Sequence, residues 1–208
     1  MLRLFILITL LGCFAAGVTA QSGAAASPDD AVKNALKTGD RIPEFALRDA
    51  LGKSVSSRDL TDGTNLVLVF YRGAWCPFCN KYLRQLQQNV TRINGLGGRL
   101  VAISAEEPET QILTARKNDL NYTVLSDPGL KVASMFGLVY RVPERTAERY
   151  RSNGLDLAAV NGTLLAELPI AATYVIRRDG TIAYAFLDGD YTKRAAPEIL
   201  LAELEKIK

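Results

Sequence analysis

Residues Leu66 to Tyr71 form an unbroken run of β-favouring apolar side chains, the pattern of a strand covered on both faces of a sheet. After it, Phe78, Tyr82, Leu83, Leu86, Val90 and Ile93 recur at helical spacing, and Asn94-Gly95 closes that helix. Leu100 to Ser104 reads as a second buried strand, residues 108–120 as a helix, and Tyr122 to Leu125 as a short third strand. Ser126-Asp127-Pro128 opens a short helix carrying Val132, Met135 and Phe136, with proline in the first turn, where its missing N–H costs nothing. Residues 137–170 are less regular and more charged, as expected of an insertion. Thr173–Ile176 and Thr181–Phe186 flank Arg178-Asp179-Gly180 and predict a hairpin. From Pro197 an amphipathic helix is expected to turn Ile199, Leu200, Leu204 and Ile207 inward. This order predicts an α/β sandwich, a mixed central sheet flanked by helices.

The chain's start changes the domain picture. Met1-Leu2-Arg3 gives a short positive beginning, Leu4 to Val18 is almost wholly apolar, and Val18-Thr19-Ala20 offers small residues for cleavage. Residues 1–20 therefore read as a signal peptide, 21–37 as a flexible leader rich in Ala, Ser and polar residues, and 38–208 as the folded domain. Export, to a periplasm or the exterior, is the expectation. Leu10-Leu11-Gly12-Cys13 offers a second route, lipid anchoring through Cys13. No membrane span is expected in the mature form, since the apolar run is shorter than about 20 residues.

Composition mainly excludes. A net charge of +3, with no basic cluster, gives no reason to expect nucleic-acid binding. The chain has no histidine, which excludes Cys-His and Ser-His dyads, every His-ligated metal site and any imidazole base.

Besides Cys13, the only cysteines are Cys76 and Cys79, in Trp75-Cys76-Pro77-Phe78-Cys79. Cys76 follows the first buried strand, and Pro77 suits the first position of the next helix, so the Cys76 sulfur should sit at a helix N-terminus. Free N–H groups and the helix dipole favour an anion there, and such a thiol titrates below the usual value of about 8.5. Arg72 would add positive charge if its side chain turned inward. Cys79 lies one turn along on the same face, about 5–6 Å away between β-carbons, within reach of a disulfide after modest adjustment. A structural staple is a poor explanation, because so small a loop gains little from cross-linking. Zinc would need about four ligands, and no metal or cofactor is expected. A redox couple is the reading that remains.

The wider sequence resembles the peroxiredoxin-like branch of the AhpC/TSA superfamily. Phe70-Tyr71-Arg72-Gly73-Ala74-Trp75-Cys76-Pro77-Phe78-Cys79 is similar to its active-site segment, and Gly39-Asp40-Arg41-Ile42-Pro43-Glu44-Phe45-Ala46-Leu47 to its N-terminal hairpin entry. Val101–Ala105, Val124–Pro128, Tyr174–Ile182 and Asp190–Arg194 resemble later family segments, so the likeness runs from Thr38 to the C-terminus. It implies a thioredoxin-like fold with an N-terminal hairpin extension. It also implies a peroxiredoxin-type, thioredoxin-dependent peroxidase. In this reading Cys76 attacks hydrogen peroxide or an organic hydroperoxide and becomes sulfenate. Cys79 closes a Cys76–Cys79 disulfide, and a thioredoxin-like or other dithiol reductant reopens it. Arg72 or Arg194 would supply the active-site cation. Where such proteins carry Thr three residues before the reactive cysteine and Pro seven before, this chain has Gly73 and Val69. An exported thiol–disulfide oxidoreductase is the competing function, and a homodimer is left open. Arg141, Arg145, Arg149 and Arg151, beside Glu144 and Glu148, are expected to form a solvated helix face.

Overall fold

The computed structural model describes residues 23–208. The expected signal peptide and Cys13 lie outside the described residues. In chain order the elements begin with α1 (Pro28–Asn34), the hairpin β1 (Ala46–Asp49) and β2 (Ser54–Ser56), and α2 (Ser57–Thr61). β3 (Asn65–Phe70), α3 (Pro77–Gln87), α4 (Val90–Gly95), β4 (Gly98–Ser104), α5 (Pro108–Lys117) and β5 (Thr123–Ser126) follow. Next come α6 (Lys131–Met135), β6 (Val139–Arg141), α7 (Glu144–Ser152), α8 (Leu157–Asn161) and β7 (Glu167–Pro169). The hairpin β8 (Thr173–Ile176) and β9 (Ile182–Phe186) and the helix α9 (Pro197–Lys206) complete the chain. Among the described residues no helix is long and apolar enough to cross a membrane.

Seven strands form one mixed sheet in the order β2-β1-β5-β4-β3-β8-β9. β3 runs parallel to β4 and antiparallel to β8, with Val67 opposite Leu100 and Leu68 opposite Tyr174. The apolar run in β3 is continuous because both faces are covered, and side chains alternate across the sheet. Leu66, Leu68 and Phe70 join one core with Phe136 and Tyr174, whereas Val67, Val69 and Tyr71 join the other with Leu83, Leu86, Leu200 and Leu204. The N-terminal hairpin is part of the sheet, since β1 pairs antiparallel with β5 at Arg48 and Ser126.

Three expectations need correction. The stretch read as a flexible leader instead carries α1, capped by the Ser27 side chain accepting from the Asp30 N–H. Its alanines are small enough to bury: Ala25, Ala31 and Ala35 enter the core, and Ala25 exchanges backbone hydrogen bonds with Val139 and Arg141 at 2.8 and 2.9 Å. The long helix read from Phe78 to Gly95 is two helices, broken at Gln88-Asn89. Ile199, read as facing inward, is 44% exposed, and Phe78 and Met135 are likewise 43% and 48% exposed. The insertion is ordered, with β6 and β7 pairing as a separate two-stranded sheet.

Candidate active site

β3 delivers the chain to its C-terminal end, and the turn Tyr71 to Trp75 swings it into α3. Gly73 has φ +146°, and a β-carbon there would lie 2.4 Å from the Trp75 Nε1. Only glycine fits this close approach without displacing the indole. Glu106, buried after β4, accepts the Ala74 N–H at 2.8 Å, and Asn80 donates to the Ala74 carbonyl at 2.7 Å. Asn80 in turn accepts from Asn118 at 3.0 Å, which ties the turn to the end of α5. Burial pushes the Glu106 carboxyl above its ordinary value, against the opposing pull of the Ala74 N–H.

The two sequence-predicted cysteines meet here as free thiols. Cys76 is the N-cap of α3 with Pro77 behind it, as the spacing predicted. Each cysteine is 1% exposed. The Cys76 thiol is pushed down to about 6, first of all by the hydrogen bond donated from the Cys79 side chain, which outweighs burial. The Cys79 N–H and the charges of Arg72 and Arg194 add to this effect. Cys79 shifts the other way, well above its ordinary value, because its proton is held against Cys76 and because it is buried. Near neutrality the pair is therefore a thiolate at Cys76 beside a thiol at Cys79.

Arg72 does turn inward and is only 4% exposed. Its guanidinium lies 4.8 Å from the Trp75 ring centre and 4.1 Å from that of Tyr191, and donates to the Tyr150 hydroxyl at 2.8 Å. Trp75 and Tyr150 pack edge to face at 5.4 Å. Two buried donors here, Arg72 Nε and Trp75 Nε1, have no hydrogen-bond partner. Buried donors are nearly always satisfied, so this pair is suited to an incoming oxygen. A cavity of about 390 Å³ adjoins Arg72, lined also by Tyr140, Arg149, Tyr150 and Tyr191.

Arg194 comes from the loop before α9 and reaches the other sulfur, with Nη2 3.4 Å from Cys79 Sγ. On α7, Arg151 pairs with Glu144 and Glu148, as a solvated face should. The sequence did not reveal Tyr150, Tyr191, Glu106 or Asn80 as neighbours of the site. Glu106 had a faint signal, an acidic residue two positions past a buried strand; Tyr150, on α7, and Tyr191, in the loop before α9, are far away in sequence, and spacing does not bring them here.

The chain is similar to known proteins over most of its length. The AhpC/TSA family matches residues 38–185. The chain is 34% identical over 105 residues to peroxiredoxin Bcp of Escherichia coli, covering 50% of this chain and 67% of that one. It is 29% identical over 150 residues to a putative peroxiredoxin of Mycobacterium tuberculosis, covering 72% and 84%. The crystal structure of peroxidoxin BcpB from Mycobacterium tuberculosis has the same fold, with a TM-score of 0.68 at 24% identity, covering 83% of this chain and 99% of that one.

Proposed function

This chain belongs to the AhpC/TSA family, and from that premise we propose that it is a thiol-dependent peroxidase in which Cys76 attacks and Cys79 resolves. The observation that carries the reading is the placement of Cys76 at the N-cap of α3 beside the buried Arg72, with Cys79 one turn on; that setting favours the anion at Cys76 and the proton at Cys79. The Cys76 thiolate attacks the nearer oxygen of a hydroperoxide and the O–O bond breaks. The alkoxide or hydroxide leaves and takes a proton, while Cys76 becomes sulfenic acid. Arg72 and the Trp75 N–H hold the peroxide oxygens, and the positive charge of Arg72 offsets the negative charge spreading over them. Cys79 then attacks the sulfenic sulfur, releasing water and forming the disulfide, and a dithiol of the thioredoxin class returns both thiols. The cavity beside Arg72 leaves room for the organic part of a hydroperoxide as well as for hydrogen peroxide. Export before action rests on the pattern of residues 1–20 alone.

Rapid-quench mixing of the reduced protein with hydrogen peroxide or cumene hydroperoxide tests the reading, with sulfenate trapping and mass spectrometry as the readout. The expected result is oxidation at least a hundredfold faster than a free thiol. Cys76→Ser should abolish it, and Cys79→Ser should accumulate trapped sulfenate at Cys76. Oxidation no faster than free cysteine, together with strong insulin reduction, would overturn the peroxidase in favour of thiol–disulfide exchange.

A further inference from the structure

Two cations border the cysteine pair, and both favour the Cys76 anion. Arg72 sits between Trp75, Tyr191 and Tyr150, whereas Arg194 donates to Cys79 Sγ at 3.4 Å. The Arg194 fork is fixed by Nη1, which donates to the carbonyls of Tyr191 and Lys193. Its guanidinium carbon lies 5.8 Å from the Tyr82 ring centre. Among the described residues no carboxylate lies within ion-pair distance of Arg194. The loop that carries it is tied to itself. Asp188 accepts the Asp190 N–H at 2.8 Å and pairs with Lys193 at 3.2 Å, and Asp190 accepts both the N–H and hydroxyl of Thr192. A cation outside ion-pair distance of every described carboxylate, anchored by carbonyls and aimed at a 1% exposed sulfur, is placed to meet negative charge on that sulfur.

Attack on the sulfenate needs Cys79 charged only in passing, with Cys76 adjacent to share its proton. Reduction of the disulfide is more demanding, because one sulfur must depart as a full anion inside the core. We propose that Arg194 is the catalytic residue of the recycling step, stabilising Cys79 as the leaving thiolate. This rests on the disulfide cycle proposed above. A thiolate of the reductant attacks Cys76 Sγ, which is flanked by the exposed Pro77 and Phe78. A reductant–Cys76 bond forms, and the Cys76–Cys79 bond breaks with its electron pair passing to Cys79. The second thiol of the reductant then displaces Cys76 as thiolate, Cys79 takes up one proton, and the reductant leaves as its own disulfide. Thiol–disulfide exchange speeds up as the leaving thiol becomes less basic, and a donor 3.4 Å from Cys79 has that effect.

The test forms the disulfide with diamide, a thiol oxidant that is not a peroxide, so its outcome is separable from that of the peroxidase reading. The full chain and its Arg194→Met and Arg194→Lys forms are oxidised, then reduced with dithiothreitol between pH 6 and 9, following the Cys76 and Cys79 peptides by mass spectrometry. Loss of one charge-assisted hydrogen bond predicts roughly tenfold slower reduction in Arg194→Met, with Arg194→Lys within about threefold of the parent. Arg194→Met reducing at the parental rate overturns the proposal, and so do the two variants slowing equally, which would mark a packing role. If Arg194→Met does not fold, alkylation of Cys79 in a Cys76→Ser background decides. Arg194→Gln should move its pH midpoint upward, and an unmoved midpoint also overturns the proposal.

Discussion

At Gly73 one hydrogen separates a formed site from a broken one. Gly73→Ala would set a methyl group against the Trp75 Nε1 and the Glu106 carboxylate, on a backbone of φ +146°. Stability should fall by about 2 kcal/mol, read by urea unfolding, and peroxide-driven oxidation should slow. On this backbone a threonine would meet the same collision, since a β-carbon here touches the indole. Cys76 should ionise with a midpoint near 6, so its alkylation by iodoacetamide rises with pH through that value and levels off above it. Arg72→Met should shift the midpoint upward, because a charge favouring the anion is gone. The meeting of Cys76 and Cys79 at the start of α3 was legible in the sequence from spacing alone, whereas the inward turn of Arg72 was only a condition. The chief cause of the low Cys76 value was not legible. Helix position suggested the dipole, whereas the largest effect is the proton of Cys79, and its direction depends on which of two adjacent sulfurs donates.

Among the elements, the buried strands were the most legible, because β3 and β4 carry apolar side chains on both faces and leave no ambiguity of phase. Helices were read less well. On α3 the buried face runs through Cys79, Asn80, Tyr82, Leu83 and Leu86, so Phe78 points outward and meets Tyr191 edge to face at 5.7 Å. Spacing identifies a helix but does not choose between neighbouring stripes when a polar residue such as Asn80 is buried by its hydrogen bonds. The five-residue α6 depends on Asp127, whose carboxylate accepts the N–H groups of Val132 and Ala133 at 3.0 and 2.9 Å. Asp127→Ala leaves those donors unpaired in the core and should cost about 2 kcal/mol. Burial raises the Asp127 carboxyl from 3.8 to about 6 despite those bonds. The folded state thus binds more protons than the unfolded state between those values, and stability should decline as pH rises through that window. Asp127→Asn should flatten the slope, measured as the urea midpoint from pH 4 to 7.

For the whole molecule, the N-terminal segment matters more than its composition suggested. Low-complexity Ala and Ser gave no periodicity to read, yet the small side chains let residues 25–35 lie against β6 and Phe136, with Leu36 donating to the Phe136 carbonyl at 3.0 Å. Gly137 records how close that contact is, since a β-carbon there would lie 2.4 Å from the Asn34 carbonyl oxygen. Because β6 and Tyr140 lead to the cavity beside Arg72, losing this segment should loosen the site along with the fold. A chain beginning at Thr38 should unfold about 5 °C or more lower than one beginning at Gln21, read by circular dichroism, and should lose oxidation rate in parallel. One further consequence comes from Trp75, the sole indole of the chain. With a guanidinium 4.8 Å from its centre and a phenol ring at 5.4 Å, its ultraviolet emission is quenched or released by movement at one place only. The native protein thus carries an optical gauge of the turn before α3, and every change in its indole signal arises next to Cys76.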